Sequence, residues 1–346
     1  MRVLLTGATG VVGTELGDRL RTAAPDGGHD LTLVRVARRP EGDALVSWRI
    51  GAEPPPAALD GHWDVIVHAA ASTRWTLRRD EAVAANLEPL RAVLRLADRD
   101  THLVHVSTAY VGGVRNPEDL RGAEFEGYRN GYEWSKARCE ELAREHPGPL
   151  TLVRPPLVVG RRGSGEIARF SGPYTMVQAL VSGLAAVVVG DPAGYAEISP
   201  VDEVAAVIAA AVLAAPPPRP RTEVLAAGRN CLTLGALLDV VVGTLNECRA
   251  EHGVAPVERP PLVSGDSWDR FFRPLADQHL SPFQGEAVKL LAMFQSYTSM
   301  GEPFEPTWTV EDPAAVMAAS VRYWAGRKPR LALARPEPWT LLAKAV

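Results

Sequence analysis

The chain has 346 residues, 46% hydrophobic and 23% charged, with a formal net charge of −4, a composition that excludes disordered and fibrous classes and argues against a nucleic-acid partner, which calls for a basic excess. The longest apolar helical run, VAAVIAAAVLAA at 204–215, is too short to span a bilayer. Cys139, Cys231 and Cys248 lie far apart without metal-ligand spacing, and a start with only a few apolar residues before a glycine loop predicts no signal peptide and a cytoplasmic protein.

In chain order, apolar runs of the strand type, RVLLT, LTLVRV, DVIVHAA, HLVHVS and LTLVRP, alternate with helical patterns at about 12–21, 78–98, 131–145 and 201–214. This alternation predicts an α/β fold, a Rossmann-type doubly wound parallel sheet with helices on both faces. The proline-rich APPPRPR at 215–221 ends the preceding helix, TEVLAAG reads as one more strand, and a long helix is expected from near Thr233. The tail gathers Pro, Trp and Phe, including Trp268, Phe271, Phe272, Phe283 and Phe294, and reads as a smaller, mostly helical substrate region. The expected division is a nucleotide-binding domain over 1–230, with 165–195 contributing to a substrate pocket, and a cap over 231–346.

The first strand runs into TGATGVVG, with glycines at 7, 10 and 13 ahead of a helix. Such glycines permit a tight turn, close approach of a pyrophosphate, and close packing of helix on strand. Thr6, Gly7, Thr9, Gly10, Val11, Val12 and Gly13 are therefore candidate cofactor contacts. At the end of the second strand an NAD site usually carries an acid for the ribose hydroxyl. Here LTLVRVARRP offers Arg35, Arg38 and Arg39 instead, and guanidinium groups match a 2′-phosphate, so the expected cofactor is NADPH.

HVSTAYVGG puts Ser107 and Thr108 at the end of a buried strand, where open α/β sheets bind their ligands. GYEWSK then sets Tyr132 and Lys136 one helical turn apart on a shared face. With 7 tyrosines and 4 lysines in the chain, a chance Tyr-x-x-x-Lys is expected roughly 0.08 times. A neutral phenol beside an ammonium suits a general acid, and a neighbouring hydroxyl suits a substrate oxygen that becomes negative as hydride arrives. His68 and His105 sit inside strands and read as core residues. Asp202 reads as the N-cap of an alanine-rich helix.

These pieces, TGATGVVG, LVR, DVIVHAAASTRW, Asn86, HVSTAYV, GYEWSK, LVRPPLVVG and SPVDEVA, span roughly residues 1–210. Together they resemble the extended short-chain dehydrogenase/reductases, and within them the fatty acyl-CoA reductases and the thioester reductase domains of carboxylic acid reductases and peptide synthetases. The resemblance implies NADPH-dependent reduction of an acyl thioester, bound to coenzyme A or delivered by a carrier protein, to an aldehyde or onward to an alcohol, as in secondary metabolism. It implies Thr108, with Ser107 as rival, Tyr132 and Lys136 as the catalytic set. Asn86 joins the cofactor site, Ala69 and Ala70 line its adenine side, and Pro155 and Leu157 meet the nicotinamide. An oxidoreductase or epimerase acting on a keto or hydroxyl group, and a nucleotide-sensing protein without catalysis, are the alternatives.

Overall fold

A computed structural model describes residues 1–26, 31–39, 45–112, 125–281, 285, 288 and 294–336; Phe283 and Gly113 lie outside them. The chain falls into two compact units. The first comprises Met1–Pro156, Val201–Leu225 and Pro306–Trp308; the second comprises Leu157–Pro200, Ala226–Glu305 and Thr309–Val346. The chain is thus cut at several points, because the strand and helix after residue 200 return to the sheet.

The main sheet holds β1 (Arg2–Thr6), β2 (Thr32–Ala37), β3 (Val46–Ser47), β4 (Val65–His68), β5 (His102–Val106), β6 (Leu150–Arg154), β10 (Arg221–Ala226) and β12 (Trp308–Thr309). Their order is β12-β10-β6-β5-β4-β1-β2-β3, and the pairs from β10 through to β3 are parallel. Unbroken apolar runs form these strands because both faces are covered: β1, β4 and β5 are buried along nearly their whole length. Strand order reverses between β1 and β4, which opens a crevice at the strands' carboxyl ends.

In the first unit, α1 (Val11–Asp26) packs against α6 (Val201–Leu213). Asp202 stands inside the first turn of α6, alongside Glu203, and is not its cap; from there it still meets the helix's positive end. The helix expected over 78–98 is made of α2 (Arg79–Ala82), a π turn (Val83–Leu87) and α3 (Glu88–Leu94). The π turn carries Asn86 and breaks the 3.6-residue period there. Asn130 caps α4 (Gly131–Arg144) by accepting from the Glu133 amide at 3.0 Å.

The second unit pairs β7 (Leu157–Val159) with β9 (Ile198–Pro200), and β8 (Val188–Val189) with β11 (Leu262–Val263). α5 (Pro173–Ser182), α7 (Leu234–Glu251) and α8 (Pro313–Arg327) surround these short sheets. Thr233 caps α7 at the expected place. The unit encloses an apolar cavity of about 40 Å³ lined by Leu157, Met176, Val177, Leu238, Val241 and Met317, among others. Arg161 and Arg162 are engaged inside the unit, by Glu166 and by the Glu311 carbonyl. Among the described residues, no helix is long and apolar enough to cross a membrane and no cluster of side chains could hold a metal ion.

Candidate active site

The glycine loop is fixed by backbone geometry. Gly7 has φ +72°, which favours glycine, and a Cβ there would come within 2.7 Å of the Ala69 and Ala70 backbone. A Cβ at Gly13 would run into the Gly7 carbonyl oxygen, so only glycine lets α1 start this close to β1. At Gly10 an added Cβ meets one atom, the Gly7 oxygen at 3.1 Å, so this face of the loop is open. The helix behind it is 16 residues long, with no acidic side chain in its first turn, a combination that suits an anionic pyrophosphate. The residues present therefore fit a dinucleotide: two glycines close the turn and the third leaves its face clear.

Thr6, Gly7, Ala69 and Ala70 come together through the β1–β4 pairing, with the Ala69 amide donating to the Thr6 carbonyl at 3.3 Å. Arg38 and Arg39 are exposed on the bend after β2. Arg35 lays its stem against α1, its Cδ 3.5 Å from where a Gly17 Cβ would stand. Among the described residues no ion pair is made with these three guanidinium groups, and no acid lies on this strand. Asn86 is buried and holds the backbone: its carbonyl accepts from the Ser72 amide (2.6 Å), and its amide donates to the Ser72 carbonyl (3.1 Å) and the Ser135 hydroxyl (2.7 Å). It thus ties the loop after β4 to α4 by its side chain.

Beyond β5, Ser107 and Thr108 diverge. Thr108 is buried, donates weakly to the Pro155 carbonyl at 3.4 Å, and lies close enough to the Tyr132 phenol to oppose the rise in its pKa. Ser107 faces Glu140, whose carboxylate it helps hold low, short of full hydrogen-bond geometry. Glu140 itself is buried and gripped by Arg154 at 2.8 and 2.5 Å and by Arg144 at 3.0 Å. These bonds hold its carboxyl below the usual range against the opposing effect of burial.

Tyr132 and Lys136 share a face of α4, as their spacing predicts. Burial pushes the Tyr132 phenol up to about 12, with the nearby Thr108 hydroxyl working against that rise. Burial pulls Lys136 down. The expected easing of the tyrosine by its lysine is not the arrangement found, because Lys136 Nζ turns to β5. There it donates to the Val106 carbonyl at 2.6 Å and to His105 Nε2 at 3.3 Å. His105 stacks on His68, ring centroids 5.6 Å apart and 13° from parallel, and His68 Nδ1 is 2.9 Å from the Thr6 hydroxyl. Burial drives both imidazoles down, His68 to about 3. The sequence reading took both for core residues; the one signal in the sequence was a histidine in each of two neighbouring apolar strand runs, and it is the strand register that brings them together.

Of the remaining candidates, Pro155 closes the first unit and anchors Thr108 and the Ala109 amide. Leu157 begins β7 in the second unit and lines its apolar cavity.

A family model described as male sterility protein matches residues 56–208. The fatty acyl-CoA reductase wat of Drosophila melanogaster is 26% identical over 174 residues, which is 40% of this chain and 34% of that protein; the match thus spans about a third of the relative's length. Among solved structures, the terminal R domain from the myxalamid PKS-NRPS biosynthetic pathway superposes with a TM-score of 0.65 at 20% identity, covering 97% of this chain and 92% of that one. The PhqB reductase domain from Penicillium fellutanum gives a TM-score of 0.67 at 17% identity, covering 95% and 93%. At these identities the structural likeness is one of fold. The chain therefore has a Rossmann-type fold, shared with the R domain of the myxalamid pathway and the PhqB reductase domain, and over part of its length is similar in sequence to a fatty acyl-CoA reductase.

Proposed function

We propose that this chain is an NADPH-dependent reductase of acyl thioesters, carried on coenzyme A or on a carrier protein, that releases an aldehyde. The observation that carries the reading is the placement of the Thr108 hydroxyl close to the Tyr132 phenol at the carboxyl end of β5, with a buried lysine one helical turn along α4. The relatives' reductase and R-domain character supports the thioester as substrate.

A bound reduced nicotinamide supplies hydride. Tyr132 and Thr108 hold the substrate carbonyl oxygen between two hydroxyls, so that the negative charge it gains is met by donors already in place. Tyr132 gives up its proton to that oxygen. Collapse of the resulting hemithioacetal breaks the carbon–sulfur bond, the thiol leaves with a proton, and the aldehyde remains. Thr108 is the hydroxyl assigned to this task, since Ser107 points to Glu140. Lys136 holds the nicotinamide ribose, and Arg35 and Arg38 bind the 2′-phosphate. Gly7, Gly10 and Gly13 shape the pyrophosphate cradle.

The test is oxidation of NADPH with acyl thioesters of coenzyme A and of pantetheine, with aldehydes and ketones alongside. Turnover of thioesters with an aldehyde product is the expected result. Turnover of ketones alone would replace the reading with a carbonyl reductase. Tight NADPH binding without turnover of any of them would overturn the enzyme reading for these substrates.

A further inference from the structure

Lys136 has two hydrogen-bond partners among the described residues, and both belong to β5: the Val106 carbonyl at 2.6 Å and His105 Nε2 at 3.3 Å. An ammonium has three donors and a fixed tetrahedral geometry. Two bonds on one side settle its rotation and leave one N–H for the crevice. The Val106 bond is to backbone and would exist with any side chain at 105. The second bond depends on an imidazole.

An imidazole here is otherwise unfavourable. Position 105 is fully buried in the strand, paired in register with His68, where its neighbours Val104 and Val67 are plain hydrophobes. His105 Nδ1 has no hydrogen-bond partner. A nitrogen that accepts from an ammonium places the ring proton on the other nitrogen, so the unmet group is a buried N–H. A residue serving packing alone would not need that polar atom. The ring plane is set by the stack on His68, which the Thr6 hydroxyl holds in turn.

We propose that His105 is a positioning residue for Lys136: from β5 its Nε2 accepts the lysine ammonium, fixes the direction of that charge at the strand end, and helps keep it protonated although it is buried. This rests on the assignment of Lys136 to the cofactor under the proposed function. The groups facing the pair are His68 from β4, Tyr132, Cys139, Glu140 and Arg144 from α4, and Arg154 from β6 through Glu140. Of these, the Glu140 carboxylate favours a charged lysine, while burial opposes it more strongly. His105 stays neutral across the working range, because both burial and Lys136 disfavour its protonation.

The chain has 4 lysines, so the side-chain carbons of lysine, labelled with carbon-13 in the whole protein, give few enough signals to titrate one by one. The Lys136 signal is identified by its loss in Lys136→Gln. In His105→Leu the Lys136 titration is expected to move down by roughly one pH unit, the size of one lost hydrogen bond to a charged group. His105→Gln, which returns an acceptor oxygen, should lie nearer the native value. Where the leucine variant fails to fold, His105→Asn, polar but too short to reach Nζ, serves the same comparison. The alkaline limb of kcat/KM should shift in step with the NMR titration. Unchanged titration of Lys136 in the leucine or asparagine variant overturns the proposal. A shifted titration in a chain that reduces no thioester upholds the positioning role and removes only the substrate assignment.

Discussion

Tyr132 and Lys136 lie on one face of α4 but look to different partners, the tyrosine to Thr108 and the lysine to β5. That division predicts separable defects. Tyr132→Phe keeps the ring and removes the proton, so turnover should fall by about 100-fold or more, while NADPH affinity, measured by fluorescence titration, stays near native. Full activity in that variant would remove Tyr132 as the acid. Changing Arg35 and Arg38 together to Ala removes charge-assisted bonds to a 2′-phosphate, each contributing about 1.5–3 kcal/mol. NADPH affinity should then drop by roughly 10- to 100-fold or more, with NADH little affected; equal losses would reject the phosphate assignment. The positions of the glycine loop, arginines, hydroxyl pair, tyrosine and lysine at strand ends and one helical turn apart could be read from the sequence, because strand runs and helical spacing fix them. Two things could not. Ser107 and Thr108 are neighbours whose side chains point to opposite sides of the chain, a distinction that needs Glu140 and Tyr132 in place. His105 reads as core until the strand register sets it beside His68 and under Lys136.

At the scale of elements, the join between β1 and α1 makes a sharp contrast between two glycines. A methyl group at position 13 meets the Gly7 carbonyl, which is backbone and cannot yield, whereas at position 10 it meets the same oxygen at 3.1 Å and nothing else. Gly13→Ala should therefore destabilise the fold by at least about 2 kcal/mol in chemical denaturation. Gly10→Ala should fold normally and lose affinity for the cofactor, since it fills the open face. Similar stabilities for the two would mean that the loop adapts. Long elements were readable because their apolar residues repeat: β1, β4, β5 and β6 fall within a residue or two of the expected runs. Elements of two residues carry no period. β3, β8, β11 and β12 went unseen for that reason, and β12, which the proline-rich tail returns to the edge of the main sheet, is fixed by its pairing partners and not by its own sequence.

Three histidines buried in the sheet of the first unit give the whole molecule a pH dependence that its net charge does not suggest. His68 and His102 are lowered from 6.5 to about 3 and about 4, and His105 lies well below 6.5, in each case chiefly through burial. A histidine that stays neutral when folded and takes a proton when unfolded contributes stability that is complete above the unfolded pKa and fades as pH falls below it. The loss runs from pH 6.5 down towards the folded values, well before Glu140, a depressed carboxylate, begins to lose its own contribution below the ordinary glutamate range. At pH 5 each such histidine has lost about 2 kcal/mol, being 1.5 units below its free pKa, and three of them approach the whole margin of an average fold, about 5–15 kcal/mol. His62, exposed beside Asp98 and raised, has the opposite sign near neutrality but is protonated in both states by pH 5. Glu197, buried and raised, takes up some proton in the folded state and trims the slope slightly. Unfolding monitored in urea between pH 6 and 5 should show stability falling by about 4 kcal/mol per pH unit near the lower end, the signature of roughly three protons taken up. His102→Gln, which keeps a partner for the Thr151 hydroxyl, should remove one of those protons and flatten the slope by a third. A slope near zero across that interval would mean that the histidines are already solvated, and the buried imidazole beside Lys136 would lose its basis with them.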